Sequence, residues 1–145
     1  MSPLAVAPAT IDDREPIRQL LASHGLPHDG LLDHWSTTLV ARAEGQPVGS
    51  AALEVYPDGA LLRSVAVAGT LRGTGVGRAL TESALRLAAD LRVPAVYLLT
   101  TTAETYFPRF GFERIDRDAV PPGVRSSIEF TSACPASAVA MRKRL

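Results

Sequence analysis

Between Leu61 and Leu91 the chain carries one uninterrupted unit. It comprises an apolar run (Leu61 to Val67), a glycine turn (Arg72-Gly73-Thr74-Gly75-Val76-Gly77-Arg78), and a helix with Val76, Leu80, Ala84, Leu87 and Leu91 on one face. A strand that feeds a glycine-rich turn and then a helix commits the chain to a layered α/β architecture. It also builds an anion site. The first amides of a helix have no partner inside it, the helix dipole adds partial positive charge there, and glycines let an anion reach the backbone. A phosphorylated ligand is therefore expected at this turn.

Spacing narrows the choice. A dinucleotide fingerprint needs a third glycine where Arg78 stands, and a P-loop needs a Lys-Ser or Lys-Thr pair that the chain lacks. The remaining sequence predicts strands over Leu4–Ala7, Thr37–Ala43, Val48–Tyr56, Ala60–Val67, Ala95–Leu99, Phe112–Ile115 and Ala138–Arg142. It predicts helices from Thr10 to about Ser23, from Gly75 to Leu91 and from Ala103 to Phe110. Residues 116–136, with Pro121, Pro122 and Pro135, read as a long ordered loop. The order predicts a mixed sheet of six to seven strands with about four helices.

At 145 residues the chain suits a single domain spanning 1–145. Lys plus Arg and Asp plus Glu are 15 each, so no global charge calls for nucleic acid or an anionic membrane. No apolar run suits a membrane span, and MSPLAVAPAT lacks the basic region of a signal peptide. With a lone cysteine, Cys134, these features point to a reducing cytoplasm. Cys134 precedes a proline and has no nearby histidine, so a structural role is favoured over a nucleophilic one. His24, His28 and His34 are spaced around Gly25 and Pro27, which breaks helical register, so no metal is expected. His34 and Trp35 are candidates for the mouth of a substrate site.

The turn Arg72-Gly73-Thr74-Gly75-Val76-Gly77 matches the [QR]-x-x-G-x-[GA] pattern of the GCN5-related N-acetyltransferases, and the element order is similar to theirs over nearly the whole chain. Tyr97 to Phe112, YLLTTTAETYFPRFGF, resembles the L-T-T…W-F…G-F segment of N-acetylglutamate synthase. LLRSVAV at 61–67 and CPASAVAMRK at 134–143 resemble the small acetyltransferases of arsenic-resistance operons. The resemblance implies acetyl-CoA as co-substrate. Its pantetheine arm would lie along Val65-Ala66-Val67. Its pyrophosphate would lie on the amides from Arg72 through Gly73, Thr74, Gly75, Val76 and Gly77 to Arg78. Its thioester would lie near Tyr106 and Phe107. The acceptor it implies is a small-molecule amine, an amino acid or an arsenic-containing analogue. Homodimerisation stays open.

Two positions depart from that pattern. Where many of these enzymes carry a proton-donating tyrosine, this chain has Phe107. Where N-acetylglutamate synthases carry a glutamate early in the fourth strand, it has Leu61. Tyr106, one residue away, points elsewhere if its segment is helical. Glu54, the acid within the central strands, is the candidate base, or else a solvated strand residue. Thr100 and Thr101, at the end of the fifth strand with Thr102, could bond the thiolate or carbonyl oxygen, or else cap the following helix. Arg63 is either a clamp for a substrate carboxylate or a snorkelling surface arginine, with Arg109 and Arg125 as weaker clamps. A non-catalytic acetyl-CoA sensor is the alternative to an enzyme. Acylation of protein N-termini or lysines is a third reading, without an acid-rich run to support it.

Overall fold

The computed structural model describes residues 5–71, 73–135 and 137–145. It contains β1 (Ala5–Pro8), α1 (Arg14–Ser23), β2 (Thr38–Ala43), β3 (Gln46–Tyr56) and β4 (Gly59–Val67). There follow α2 (Val76–Asp90), β5 (Ala95–Thr100), β6 (Glu113–Ile115), the one-turn α3 (Pro122–Arg125) and β7 (Val139–Arg144). The seven strands form one mixed sheet, as the sequence predicts, and lie in the order β1-β2-β3-β4-β5-β7-β6. Only the β4–β5 pair is parallel among these ladders. Its crossover is α2, since parallel neighbours need a long connection. Leu4, the first residue of the expected β1, lies outside the described residues.

Each face of the sheet is covered. Val76, Leu80, Ala84 and Ala88 of α2 pack on Leu39, Ala41, Leu53, Leu62, Val96 and Leu98. Burying a leucine such as Leu80 completely contributes about 1.5–3 kcal/mol. Gly49 lets α2 settle on the sheet, because a Cβ there would lie 2.8 Å from Leu80 Cδ1 and 3.1 Å from Val76 Cγ1. On the other face Ile17 and Leu21 of α1 meet Val40, Ala52 and Ala66. Beside them, Val120 and Val124 meet Leu61, Tyr97 and Ala140. The stretch from Val120 to Phe130 is thus a packed part of the second layer. Asp58 holds it by accepting the Gly123 amide at 2.7 Å.

Two local differences from the sequence reading have physical causes. The expected first helix opens as a 3-10 turn, Ile11–Asp13, because the Asp13 carboxylate turns back to accept the Thr10 amide at 2.7 Å. It also accepts from Arg42 on β2 at 2.6 Å. The expected helix over Ala103–Phe110 shrinks to turns ending in a 3-10 segment, Phe107–Phe110. Pro108 lacks an amide donor and disfavours helical geometry at Phe107. Gly111, at φ 95°, ends the segment.

The feature that positions the site is a bulge in β4. Ala52 faces Arg63, but Ser50 faces Ala66, so β4 carries one extra residue. Ser64 absorbs it at φ 58°, and the Ser50 hydroxyl pins the Ser64 carbonyl at 2.7 Å. A bulge bends its strand. The β4–β5 ladder runs through Ala60–Val96 and Leu61–Tyr97, and the two strands then part.

Candidate active site

The parting of β4 and β5 opens a cleft of about 660 Å³. One wall is β4 from Leu62 to Val67, and the other is Leu98 to Thr100 with Ala103, Tyr106 and Phe107. The glycine turn, through Gly73, Gly75, Gly77 and Arg78, closes one end, while Arg63, Glu129 and Cys134 lie at the other. The sequence therefore brought together Arg63, Val65, Ala66, Val67, Gly73, Gly75, Gly77, Arg78, Thr100, Tyr106 and Phe107 on one surface.

The turn is shaped for an anion. Gly75 sits at φ 92° immediately before α2, and a Cβ on Gly73 or Gly75 would meet open space. The first amides of α2 have no partner within the helix. Thr74 is exposed, with its hydroxyl donating to the Leu71 carbonyl at 2.5 Å. Val76 puts its side chain into the core, so its backbone alone is placed for a ligand. Arg72 lies outside the described residues. Arg78 and Arg109 add positive charge at this end, and the Arg109 guanidinium lies 4.6 Å from the Tyr106 ring centre. A phosphate finds amides, a helix dipole and two guanidinium groups together here.

Tyr106 differs from the sequence expectation. Its segment is not α-helical, so the side chain turns into the cleft, where a Cβ on Gly77 would sit 3.2 Å from its hydroxyl. Burial raises its pKa, against the opposing pull of Arg109 and Arg78. Phe107 inserts into the core beside Phe110 and Phe112 while its edge reaches the cleft. Thr100 is committed to capping. Its Oγ1 accepts the Ala103 amide at 2.9 Å and the Thr102 amide at 3.3 Å, leaving its hydroxyl hydrogen for other partners. Thr101 is exposed and stands off the cleft.

Glu54 and Arg63 are neither solvated nor at the surface; their relative exposures are 1% and 2%. Arg63 Nη1 donates to Glu54 Oε2 at 2.8 Å and to the Asp29 carbonyl at 2.7 Å. Nη2 donates to the Pro27 carbonyl at 3.2 Å, and Nε donates to Ser64 Oγ at 3.1 Å. Nε also lies 3.4 Å from Glu129 Oε2. A guanidinium this fully engaged is a hub joining the sheet to the 27–30 segment and to the 129–134 turn. It is not a snorkelling residue, and little of it remains for a substrate carboxylate. Glu54 accepts the Tyr56 hydroxyl at 2.5 Å on its other oxygen, and His34 Nε2 stands 3.6 Å away. Burial alone would raise Glu54, but hydrogen bonds from Tyr56, Arg63 and Ser127 outweigh it and hold the carboxyl below its ordinary value. Glu54 does not line the cleft.

Glu129, which the sequence reading missed, does line the cleft. It sits in a π turn, Glu129–Ala133, within the segment read as loop. Burial raises its pKa to about 6; Arg63 opposes the rise and Glu54 adds to it. Burial, then the Glu129 charge, pushes the Cys134 thiol up to about 12, so it stays protonated. Of the remaining candidates, His24 Nε2 contacts the Val67 carbonyl at 2.7 Å in the cleft. Trp35 faces a separate groove, its indole N–H donating to Thr10. Arg125 ends α3 and stands off the cleft. Among the described residues no three His, Cys, Asp or Glu side chains converge on a metal position, and no helix is long and apolar enough to cross a membrane.

A family model described as "Acetyltransferase (GNAT) domain" matches residues 34–114. The chain belongs to the GNAT acetyltransferase family. An amino-acid acetyltransferase of Mycobacterium tuberculosis is 38% identical over 73 residues, which is 50% of this chain and 41% of that protein. An uncharacterized N-acetyltransferase of Chlorobaculum tepidum is 31% identical over 94 residues, covering 64% of this chain and 60% of the relative. The match thus spans under two thirds of either relative. Among solved structures, Rv2747 of Mycobacterium tuberculosis, in complex with CoA, is 26% identical with a TM-score of 0.83, over 97% of this chain and 99% of that one. N-acetylglutamate synthase of Neisseria gonorrhoeae, complexed with coenzyme A and N-acetyl-glutamate, shares the fold. Its TM-score is 0.85 at 21% identity, over all of this chain (100%) and 36% of that one.

Proposed function

We propose that this GNAT protein is an acetyl-CoA-dependent N-acetyltransferase acting on the amino group of a small molecule, an amino acid or an arsenic-containing amino-acid analogue. The observation that carries the reading is the polarity of the cleft. An open glycine turn with two arginines stands at one end, and a buried carboxylate in excess of its cation stands at the other. The residues fit acetyl-CoA. The turn from Gly73 to Arg78 would offer amides to the pyrophosphate, and the bulged edge Val65-Ala66-Val67 would offer backbone groups to the arm. Tyr106, beside Gly77, and Phe107 flank that path on the wall opposite β4. Bound there, acetyl-CoA supplies an activated acyl group as a thioester.

The protein's own contribution is alignment and charge. β4, freed from β5 by the bulge, leaves an edge that an amide-containing chain can pair with. Holding two reactants in register converts an encounter into an internal step, a large part of acyl-transfer catalysis. The acidic end suits an ammonium group on arrival. Thr100 keeps a hydroxyl hydrogen for an oxygen or sulfur at the strand end. Glu54 fixes Arg63 from beneath and acts as a positioning residue.

The amino-acid reading draws support from the likeness to one amino-acid acetyltransferase and from the N-acetyl-glutamate bound to a protein of the same fold. The arsenic-bearing analogue draws on the likeness of LLRSVAV and CPASAVAMRK alone. The test is thiol release from acetyl-CoA with paired acceptors, each an amino acid and its decarboxylated amine. The reading expects the amino acid to give the higher kcat/KM. Preference for the plain amine overturns it and moves the acceptor class to polyamine-like or aryl amines.

A further inference from the structure

We propose that Glu129 is the group that takes the proton from the acceptor amine, with Cys134 and Arg63 as the residues that hold its carboxyl in place. The inference rests on the acetyltransferase reading and goes beyond it by naming the proton acceptor. Geometry separates Glu129 from the other buried acid. Glu54 has both oxygens engaged by Tyr56 and Arg63 and does not face the cleft. Glu129 faces it, with Arg63 at 3.4 Å, a longer contact than the 2.8 Å that Arg63 gives Glu54.

The turn around Glu129 is closed on itself. The Ser127 hydroxyl oxygen accepts the Glu129 amide at 3.1 Å, and the Cys134 amide donates to the Glu129 carbonyl at 3.0 Å. The Cys134 thiol bonds the carboxylate and keeps its own proton. The charged and titratable groups facing Glu129 are Arg63 from β4, Glu54 from β3, Asp29 from the segment before β2, and Cys134. Arg117 also acts on Cys134 and opposes the rise of its pKa. Two carboxylates therefore share one guanidinium, and the second is the one open to the cleft. A carboxyl raised to about 6 is mostly ionised at neutral pH and still basic enough to accept a proton, the condition a general base needs.

The step balances without another reactant. The acceptor ammonium gives one proton to Glu129, which frees the nitrogen lone pair. The nitrogen then forms a bond to the acetyl carbonyl carbon, the carbon–sulfur bond breaks with its electron pair on sulfur, and the second nitrogen proton goes to the leaving thiolate.

The experiment is E129Q and E129D with acetyl-CoA and the best acceptor amine. E129Q should lower kcat roughly 10²–10⁴-fold and abolish the acidic limb of the pH–rate profile, which in the wild type falls near the Glu129 value of about 6. Its acetyl-CoA affinity by calorimetry should stay within about twofold, since amides and arginines at the other end hold the anion. E129D should keep the limb at reduced rate. A readout free of any variant is the side-chain carboxyl 13C resonance of Glu129 in labelled wild-type protein, which should titrate near 6. Unaltered rate and limb in E129Q, or a carboxyl titrating at the ordinary glutamate value, overturns the proposal alone. A wild type that binds acetyl-CoA and acetylates no amine overturns the acetyltransferase reading and the proposal with it.

Discussion

A buried carboxylate kept in excess of its cation destabilises the fold that holds it, and at Glu129 the size of that effect can be worked out. The group moves from 4.5 to about 6 on folding. That is roughly 1.5 pH units at 1.36 kcal/mol each, or about 2 kcal/mol. The sign follows from which state binds the proton more tightly. As pH rises past 4.5 the unfolded chain releases this proton first, so deprotonation favours unfolding until the folded protein also releases it near 6. Below that window Glu129 is protonated in both states and contributes nothing. Above it the wild type has lost about 2 kcal/mol that E129Q, with no proton to lose, retains. Urea unfolding of both proteins between pH 4.5 and 7.5 reads the difference curve, in which other groups largely cancel. E129Q should gain about 2 kcal/mol on the wild type across that range. Parallel curves, or E129Q losing ground as pH rises, would show that the Arg63 contact outweighs burial and would refute the reasoning.

At the other end of the cleft, Gly77→Val should lower acetyl-CoA affinity at least tenfold in a titration calorimeter. A Cβ there meets Tyr106 Oη at 3.2 Å and Val67 Cγ2 at 3.5 Å, so the added methyls must fill the approach to the turn. Gly75→Val should do the same, with a fold cost of about 1–2 kcal/mol from the left-handed φ of 92°. Arg63→Ala should destabilise the protein by roughly 3–5 kcal/mol in urea, because it strands two buried carboxylates. A loss confined to KM for carboxylate-bearing acceptors would instead restore the substrate clamp. Thr100→Val removes the acceptor of two amides and should cost about 1 kcal/mol of stability; a fall in kcat at constant acetyl-CoA affinity would add a role for its hydroxyl in the reaction.

The strand–glycine–helix unit was legible because each part carries a local signal: apolar alternation, residues that tolerate open backbone, and a 3.6-residue stripe. The sheet followed from the same periodicities. Arg63 and Glu54 could be singled out as odd in apolar strands, yet alternation along one strand does not say what packs above it. Their partners come from residues 27, 29 and 129, far off in sequence. The bulge at Ser64 left no trace, because serine carries no preference for φ 58°. Tyr106 was misdirected by a helical reading that Pro108 undoes. Glu129 was invisible for a plainer reason. It lies in a segment whose prolines read as loop and hide a packed turn.

The claim on which the rest depends is the direction of acetyl-CoA along the cleft, and a crystal structure with coenzyme A tests it most directly. The account predicts the pyrophosphate within hydrogen-bond distance of amides between Gly73 and Arg78, and the arm paired with β4 between Val65 and Val67. The sulfur should then point along the cleft toward the acidic end that holds Glu129. Coenzyme A bound elsewhere, or bound with its sulfur turned away from Glu129, would contradict it.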